Sequence, residues 1–216
     1  MEADFWHERW DKNQIGFHQD TVNSHLQDFW GGLELDGRGK IFVPLCGKSA
    51  DMLWLRAQGH EVLGIELSAL AIKDFFAEND LEPQVSQSGK FERWECDGIV
   101  IYQGDFFDLT PDDLAECAGV FDRASLIALP PEMRSAYTKH LKQIVPKQCD
   151  VLLVTMEYDQ SLAGGPPFSV MESEVREYYE GDYSVTLLRS VDALNEMSRF
   201  KKMGMPRLDE KTFLLR

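Results

Sequence analysis

Between Lys40 and Ser68 the chain reads strand, turn, helix, stop and strand in quick succession, and that order leaves few folds open. Ile41–Leu45 is a short apolar strand. Ser49–Gln58 carries Met52, Leu53 and Leu55 inward, with Ser49 placed to cap a helix and Gly59 to stop it. Val62–Leu67 is the next strand and Ala69–Asn79 the next helix. Two strands joined through a helix run parallel, because a parallel pair needs a long crossover. Continued alternation of this kind predicts an α/β chain: an open, mostly parallel sheet with helices on both faces.

The flanks complete the layout. Residues 4–13 place Phe5, Trp6 and Trp10 near helical spacing, with Asp4 as N-cap, and residues 21–30 read as a second helix opened by Thr21. Ile15–Gln19 is the loop between them. Phe91–Cys96 and Ile99–Tyr102 flank Asp97-Gly98, a hairpin signal. Asp112–Cys117 reads as a short helix, and Val120-Phe121-Asp122 ends a strand. Glu132–Ile144 is an amphipathic helix behind Pro130-Pro131. Val151–Met156 is a strongly apolar strand, Gly164–Pro167 a rigid loop and Glu172–Tyr179 a helix. Ser184–Leu188 and Thr212–Leu215 come late with little helix between them, which predicts an antiparallel hairpin at one edge. The length suits one domain spanning 1–216.

In such sheets ligands sit beyond the carboxyl ends of the strands. The first of those loops contains Gly47-Lys48-Ser49, the tail of a phosphate-binding loop. The matching first glycine falls at position 42, which is Phe42, inside the strand. A dinucleotide site needs three glycines in this turn, and Pro44–Ser49 has one. Yet Glu66 closes the second strand, where an acidic side chain holds the ribose hydroxyls of an adenosine ligand. A ribose holder without a pyrophosphate holder fits an adenosine ligand that has no phosphates, and S-adenosylmethionine is such a ligand. Asp105 can accept from the adenine amino group, and Phe106 can cover the ring or offer its backbone N–H. Asp122-Arg123 ends the fourth strand. Against this, Asp105 can simply start a turn, Arg123 can be a surface ion pair, and Trp6 and Trp10 can be core.

Charge and cysteine usage narrow the partners. A net charge of −15 repels nucleic-acid phosphates and anionic membranes, and suits a cationic sulfonium. No apolar run is long enough to span a bilayer, and the first residues lack a basic-then-apolar signal, so a cytoplasmic chain with reduced cysteines is expected. Cys46, Cys96, Cys117 and Cys149 form no metal-ligand spacing, so no metal is expected. Cys46 is a tempting nucleophile, but no His is placed to activate it.

Several motifs in order along nearly the whole chain carry a resemblance. They are Trp6-His7-Glu8-Arg9-Trp10, Phe17-His18-Gln19, Val43–Ser49, Gly64–Ser68, Phe121-Asp122-Arg123 and Gly165-Pro166-Pro167-Phe168. Together they resemble the thiopurine S-methyltransferase family in its shorter bacterial form. The resemblance implies a seven-stranded, Rossmann-like S-adenosylmethionine-dependent methyltransferase fold, with residues 1–30 as a helical cover. It implies cofactor contacts at Trp10, Leu45, Glu66 and Arg123, and an adenine-binding pair at Asp105-Phe106. It places Phe17 at the substrate and Pro167 and Phe168 near the active-site cover, with Trp6 in the roof. Aligned from the C-terminus, Arg199 matches a family arginine near the substrate. Arg123 or Arg199 would then stabilise an anionic nucleophile. The implied substrates are aromatic or heterocyclic thiols such as thiopurines, or selenium and tellurium species, handled by a monomer. Two other readings compete: a non-catalytic module that only binds the cofactor, and an NAD-dependent oxidoreductase.

Overall fold

A computed structural model describes residues 3–33, 35 and 39–216. The sheet forms from β1 (Lys40–Val43), β2 (Glu61–Glu66), β3 (Gln84–Ser88), β4 (Phe91–Cys96), β5 (Ile99–Gln103), β6 (Cys117–Arg123), β7 (Asp150–Tyr158), β8 (Val185–Asp192) and β9 (Leu208–Leu215). Their order across the sheet is β3-β4-β5-β2-β1-β6-β7-β9-β8. The helices are α1 (Ala3–Asp11), α2 (Ser24–Phe29), α3 (Asp51–Ala57), α4 (Ala69–Glu78), α5 (Pro131–Ile144), α6 (Glu172–Tyr179) and α7 (Ser198–Lys202).

The mixed α/β class holds, but the described sheet has nine strands rather than the expected seven. The parallel centre is β5-β2-β1-β6-β7. The chain leaves β1 toward β2 and β5, then crosses back to place β6 on the other side of β1. That reversal opens a crevice at the carboxyl ends of β1 and β6, where ligands bind in open α/β sheets. β9 runs antiparallel between β7 and β8, as the late strands predicted, although α7 intervenes between them. The Asp97-Gly98 hairpin also forms, and both residues take positive φ. The unforeseen element is β3, which extends that hairpin's outer edge. Gln84-Val85-Ser86-Gln87-Ser88 offers no alternation of apolar side chains, because it buries neither face.

Helix ends account for the remaining differences. The expected cap Asp4 lies inside the first turn of α1. Thr21 opens no helix; Asn23 does, its side chain accepting from the N–H groups of His25 and Leu26. α3 starts at Asp51 with Ala50 at its cap position, while Ser49 Oγ accepts the Asp51 N–H at 3.2 Å. The Asp112–Cys117 helix does not form: Thr110 donates its N–H and hydroxyl to Asp113, the following residues turn, and Cys117 opens β6. There the side-chain bonds outcompete a helix too short to nucleate.

The sheet is buried on both faces. Phe42, Ile65, Val120, Leu153 and Phe213 face α5 and α6, whereas Ile41, Val43, Ile101, Phe121 and Val154 face α2, α3 and α4. Each such fully buried side chain contributes about 1.5–3 kcal/mol. This two-sided core holds the carboxyl-edge loops in place.

Candidate active site

The turn after β1 and the end of β2 form one structure. Glu66 is buried, and its two carboxylate oxygens accept the Gly47 N–H at 2.9 Å and the Ser68 N–H at 2.7 Å. Burial pushes its pKa up, and the backbone donors at Ser68, Gly47 and Leu67 pull it back. Three backbone donors do not fill the four acceptor sites of the carboxylate, so it can still accept from a ribose hydroxyl. Cys46 donates its N–H to the Ile65 carbonyl and buries its sulfur against Gly64. Burial raises its pKa well above that of a free thiol, as for a packing residue rather than a nucleophile. Ser125 Oγ donates to the Pro44 carbonyl at 2.7 Å, tying this turn to the one after β6. Leu45 and Ala124, one in each turn, hold left-handed φ of 45° and 67°. Such conformations cost side-chain-bearing residues about 1–2 kcal/mol each and cluster at functional sites.

A roof of aromatic rings closes over this turn. Phe17 meets Trp6 and Trp10 edge-on, each at 5.7 Å between centroids. Trp10 is buried, and its six-membered ring lies where a Cβ on Gly47 would approach within 3.2 Å. Gly47 also has φ +53°. Gly47→Ala is therefore expected to cost about 1 kcal/mol of backbone strain and to lift Trp10. Tryptophan fluorescence should shift red with the global fold retained. Among the described residues, 3–18 make no hydrogen bond to 24–216. Ring packing holds the roof, together with the charges that His7 shares with Glu66 and His18 with Lys48 and Arg123.

Beyond β5, Asp105 caps a 3-10 turn at Phe106–Asp108, accepting the Phe107 N–H at 2.9 Å, and stands exposed at the crevice. Phe106 behaves differently from one expectation. Its ring is buried, stacked 6.5 Å from Phe42 and 4.8 Å from Tyr137, so it cannot cover a ligand.

Asp122 and Arg123 point to opposite faces of β6, because side chains alternate along a strand. Asp122 enters the core, accepting from the Tyr137 hydroxyl at 2.7 Å, and burial raises its pKa to about 6. A carboxyl whose folded pKa exceeds its unfolded value favours folding at low pH and loses that contribution as pH rises from about 4 to about 6. Asp122→Asn can keep both contacts, with its oxygen toward the Leu126 N–H and its amide toward Tyr137. It should therefore gain up to about 3 kcal/mol on the parent between pH 4 and pH 7, read by urea denaturation at each pH.

Arg123 is half-buried at the crevice, and its guanidinium makes no hydrogen bond or ion pair with another described residue. Burial lowers its pKa, and the charges of Asp51 and then Glu210 raise it. Neither carboxylate drew notice in the sequence: Asp51 reads as a helix first-turn acid, and Glu210 is far away along the chain. His18, beneath the roof, faces the same group; burial and Lys48 hold its pKa down.

The Gly165–Phe168 loop packs on the 3-10 turn Leu126–Ala128 that follows Arg123. Phe168 donates its N–H to the Ile127 carbonyl at 2.6 Å, and the Pro167 carbonyl accepts from the Tyr158 hydroxyl at 2.6 Å. Arg199 is exposed and donates to the Pro166 carbonyl at 3.2 Å, so it is placed on this loop rather than among the groups around Arg123. No group of three metal-ligating side chains exists among the described residues.

The model of the thiopurine S-methyltransferase family matches residues 1–216. A thiopurine S-methyltransferase of Pseudomonas entomophila (strain L48) is 51% identical over 215 residues, covering 100% of this chain and 99% of the relative. That of Pseudomonas fluorescens (strain Pf0-1) is 47% identical over 216 residues, with coverage of 100% and 99%. Among solved structures, 1,6-didemethyltoxoflavin-N1-methyltransferase of Burkholderia thailandensis, with bound 1,6-didemethyltoxoflavin and S-adenosylhomocysteine, superposes with a TM-score of 0.62 at 15% identity. The superposition covers 99% of this chain and 86% of that one, and shares its fold. The chain belongs to the thiopurine S-methyltransferase family and is a methyltransferase that depends on S-adenosylmethionine.

Proposed function

We propose that this chain moves a methyl group from S-adenosylmethionine to the sulfur of aromatic or heterocyclic thiols, thiopurines among them. The observation that carries this reading is Arg123: a half-buried guanidinium with no hydrogen-bond or ion-pair partner among the described residues, at the crevice near the aromatic roof. An aromatic thiolate matches both features, a flat ring for Trp6 and Phe17 and a soft anion for Arg123.

The bound cofactor supplies an electrophilic methyl on a sulfonium. Glu66 holds the ribose with its spare acceptor site, and Asp105 with the Phe106 N–H holds the adenine edge. The Leu45–Gly47 turn would lie along the methionine half, with the Trp10 ring packed against Gly47 where a Cβ would otherwise stand. A thiol gives up its proton to solvent, and Arg123 stabilises the thiolate. The thiolate so held would be placed to take that methyl in line, its lone pair forming the new S–C bond while the sulfonium S–C bond would break. The leaving group needs no proton, so the protein contributes mainly alignment and exclusion of water. Trp6, Trp10, Phe17, Pro167 and Phe168 supply that enclosure, and Arg199 steadies the Pro166 loop. Selenium and tellurium species present the same soft nucleophile and belong to the same reading, as do a cytoplasmic setting and a monomer.

The test is methyl transfer from labelled S-adenosylmethionine to a panel of thiophenols, a thiopurine, selenite and tellurite. Labelled thioether should appear with the aromatic thiols. Binding of the cofactor without transfer to any acceptor would leave a non-catalytic module instead.

A further inference from the structure

We infer that Glu210 is a positioning residue for Arg123, held in that role by His25 and Thr212; the inference rests on the function proposed above for Arg123. Sheet register brings these groups together. Arg123 pairs with Val154, and Val154 pairs with Thr212, so the three side chains form a row on one face. Glu210 lies two residues earlier on β9, on that same face and nearer the carboxyl edge. Helix α2 covers this face and inserts His25 between the two β9 side chains. His25 Nδ1 lies 2.6 Å from Thr212 Oγ1, and its Nε2 lies 2.9 Å from Glu210 Oε2. All three are buried. A neutral ring that donates Nε2–H to Glu210 takes the Thr212 hydroxyl hydrogen on Nδ1, so its tautomer and tilt are set together.

Burying a carboxylate is costly unless it has work for its charge. Glu210 spends one lone pair on His25, and the charge it keeps is felt by Arg123. Asp51 stands on the other flank, gripped by the Asn23 N–H at 2.7 Å and the Ser49 hydroxyl at 2.8 Å. The start of α2 thus fixes both carboxylates, through Asn23 and through His25. Arg123 touches neither within ion-pair distance, yet lies in the field of both, with His18 facing it from the roof. A long side chain that would otherwise sample many rotamers is held with its donors turned toward the crevice.

A double-mutant cycle tests this. Glu210→Gln preserves the volume and an acceptor for His25 but removes the charge. It should lower kcat/KM for an aromatic thiol about tenfold in the parent, and less than about twofold when Arg123 is already Met. Thr212→Val should produce a similar loss by freeing His25, and Thr212→Ser should restore activity. Equal losses from Glu210→Gln in both backgrounds, or no loss in the parent, would overturn the inference. A second readout needs no turnover. In the complex with S-adenosylhomocysteine, the ultraviolet absorbance of a bound thiophenolate gives the pH midpoint of its ionisation. Loss of the Glu210 charge would by itself lower that midpoint, so misplacement of Arg123 in Glu210→Gln should show as a rise against that trend, by about half a pH unit. Should the parent transfer no methyl at all, the proposed function fails, and this midpoint still decides: an identical or lower value in the variant overturns the positioning role.

Discussion

Glu66→Gln should weaken S-adenosylhomocysteine binding about a hundredfold by calorimetry while the protein still folds. The carboxylate accepts from two backbone donors, at Gly47 and Ser68, and closes β2 at its carboxyl end. An amide replaces one oxygen by an NH₂ group, which must point at a backbone N–H or at a ribose hydroxyl. Each lost hydrogen bond to a charged acceptor costs about 1.5–3 kcal/mol, and about 2.7 kcal/mol is a hundredfold in affinity. Burial already pushes the carboxyl pKa up, so affinity in the parent should itself decline as acid protonates Glu66. The glutamine variant lacks that decline. Affinity equal to the parent's at neutral pH would remove Glu66 from the ribose.

Arg123→Met should lower kcat/KM for aromatic thiols by about two to three orders of magnitude, with the affinity for S-adenosylhomocysteine changed far less. Removing one charge-stabilising donor from a water-excluded site typically costs that much. The methionine keeps the packing of the aliphatic stem, so thermal stability should hold or rise, because a half-buried guanidinium without a direct partner is expensive to fold. The acid limb of the pH–rate profile should move up toward the ionisation of the free thiol, since the charge that favours thiolate is gone. Arg123→Lys should recover part of the rate, a point charge replacing a fork. A rate within about threefold of the parent would place the anion-stabilising charge elsewhere.

Much of this architecture was legible before any coordinates. Apolar strands separated by capped helices announce a parallel sheet, and the strand–turn–helix unit at Lys40–Ser68 locates the crevice. Glu66 stood out because the end of the second strand is a fixed place in this kind of sheet. What escaped notice escaped for identifiable reasons. β3 buries no side chain and so carries no alternation. The Asp112–Cys117 segment has helical composition but loses its start to the Thr110–Asp113 bonds. The sequence leaves Phe106 free either to cover a ligand or to offer its backbone N–H, because a loop position says nothing about which way a ring turns; the core beside Phe42 and Tyr137 takes the ring.

The sequence by itself determined the class of sheet, the family and the edge where chemistry occurs, because local periodicity and short motifs encode those. It also excluded phosphate from the Gly47-Lys48-Ser49 turn. Only the tertiary structure decided what that turn is for. Glu66 grips its Gly47 N–H, Trp10 rests where a side chain at Gly47 would stand, and Ser125 ties it to β6. Only the tertiary structure set Arg123 in the field of Asp51 and Glu210 and placed His25 against Glu210. Those residues come from a strand, a helix start, a distant antiparallel strand and the N-terminal cover. Charges act through space, and the register that brings β9 across β7 to β6 is set by the packing of the whole sheet, which no short stretch of residues contains.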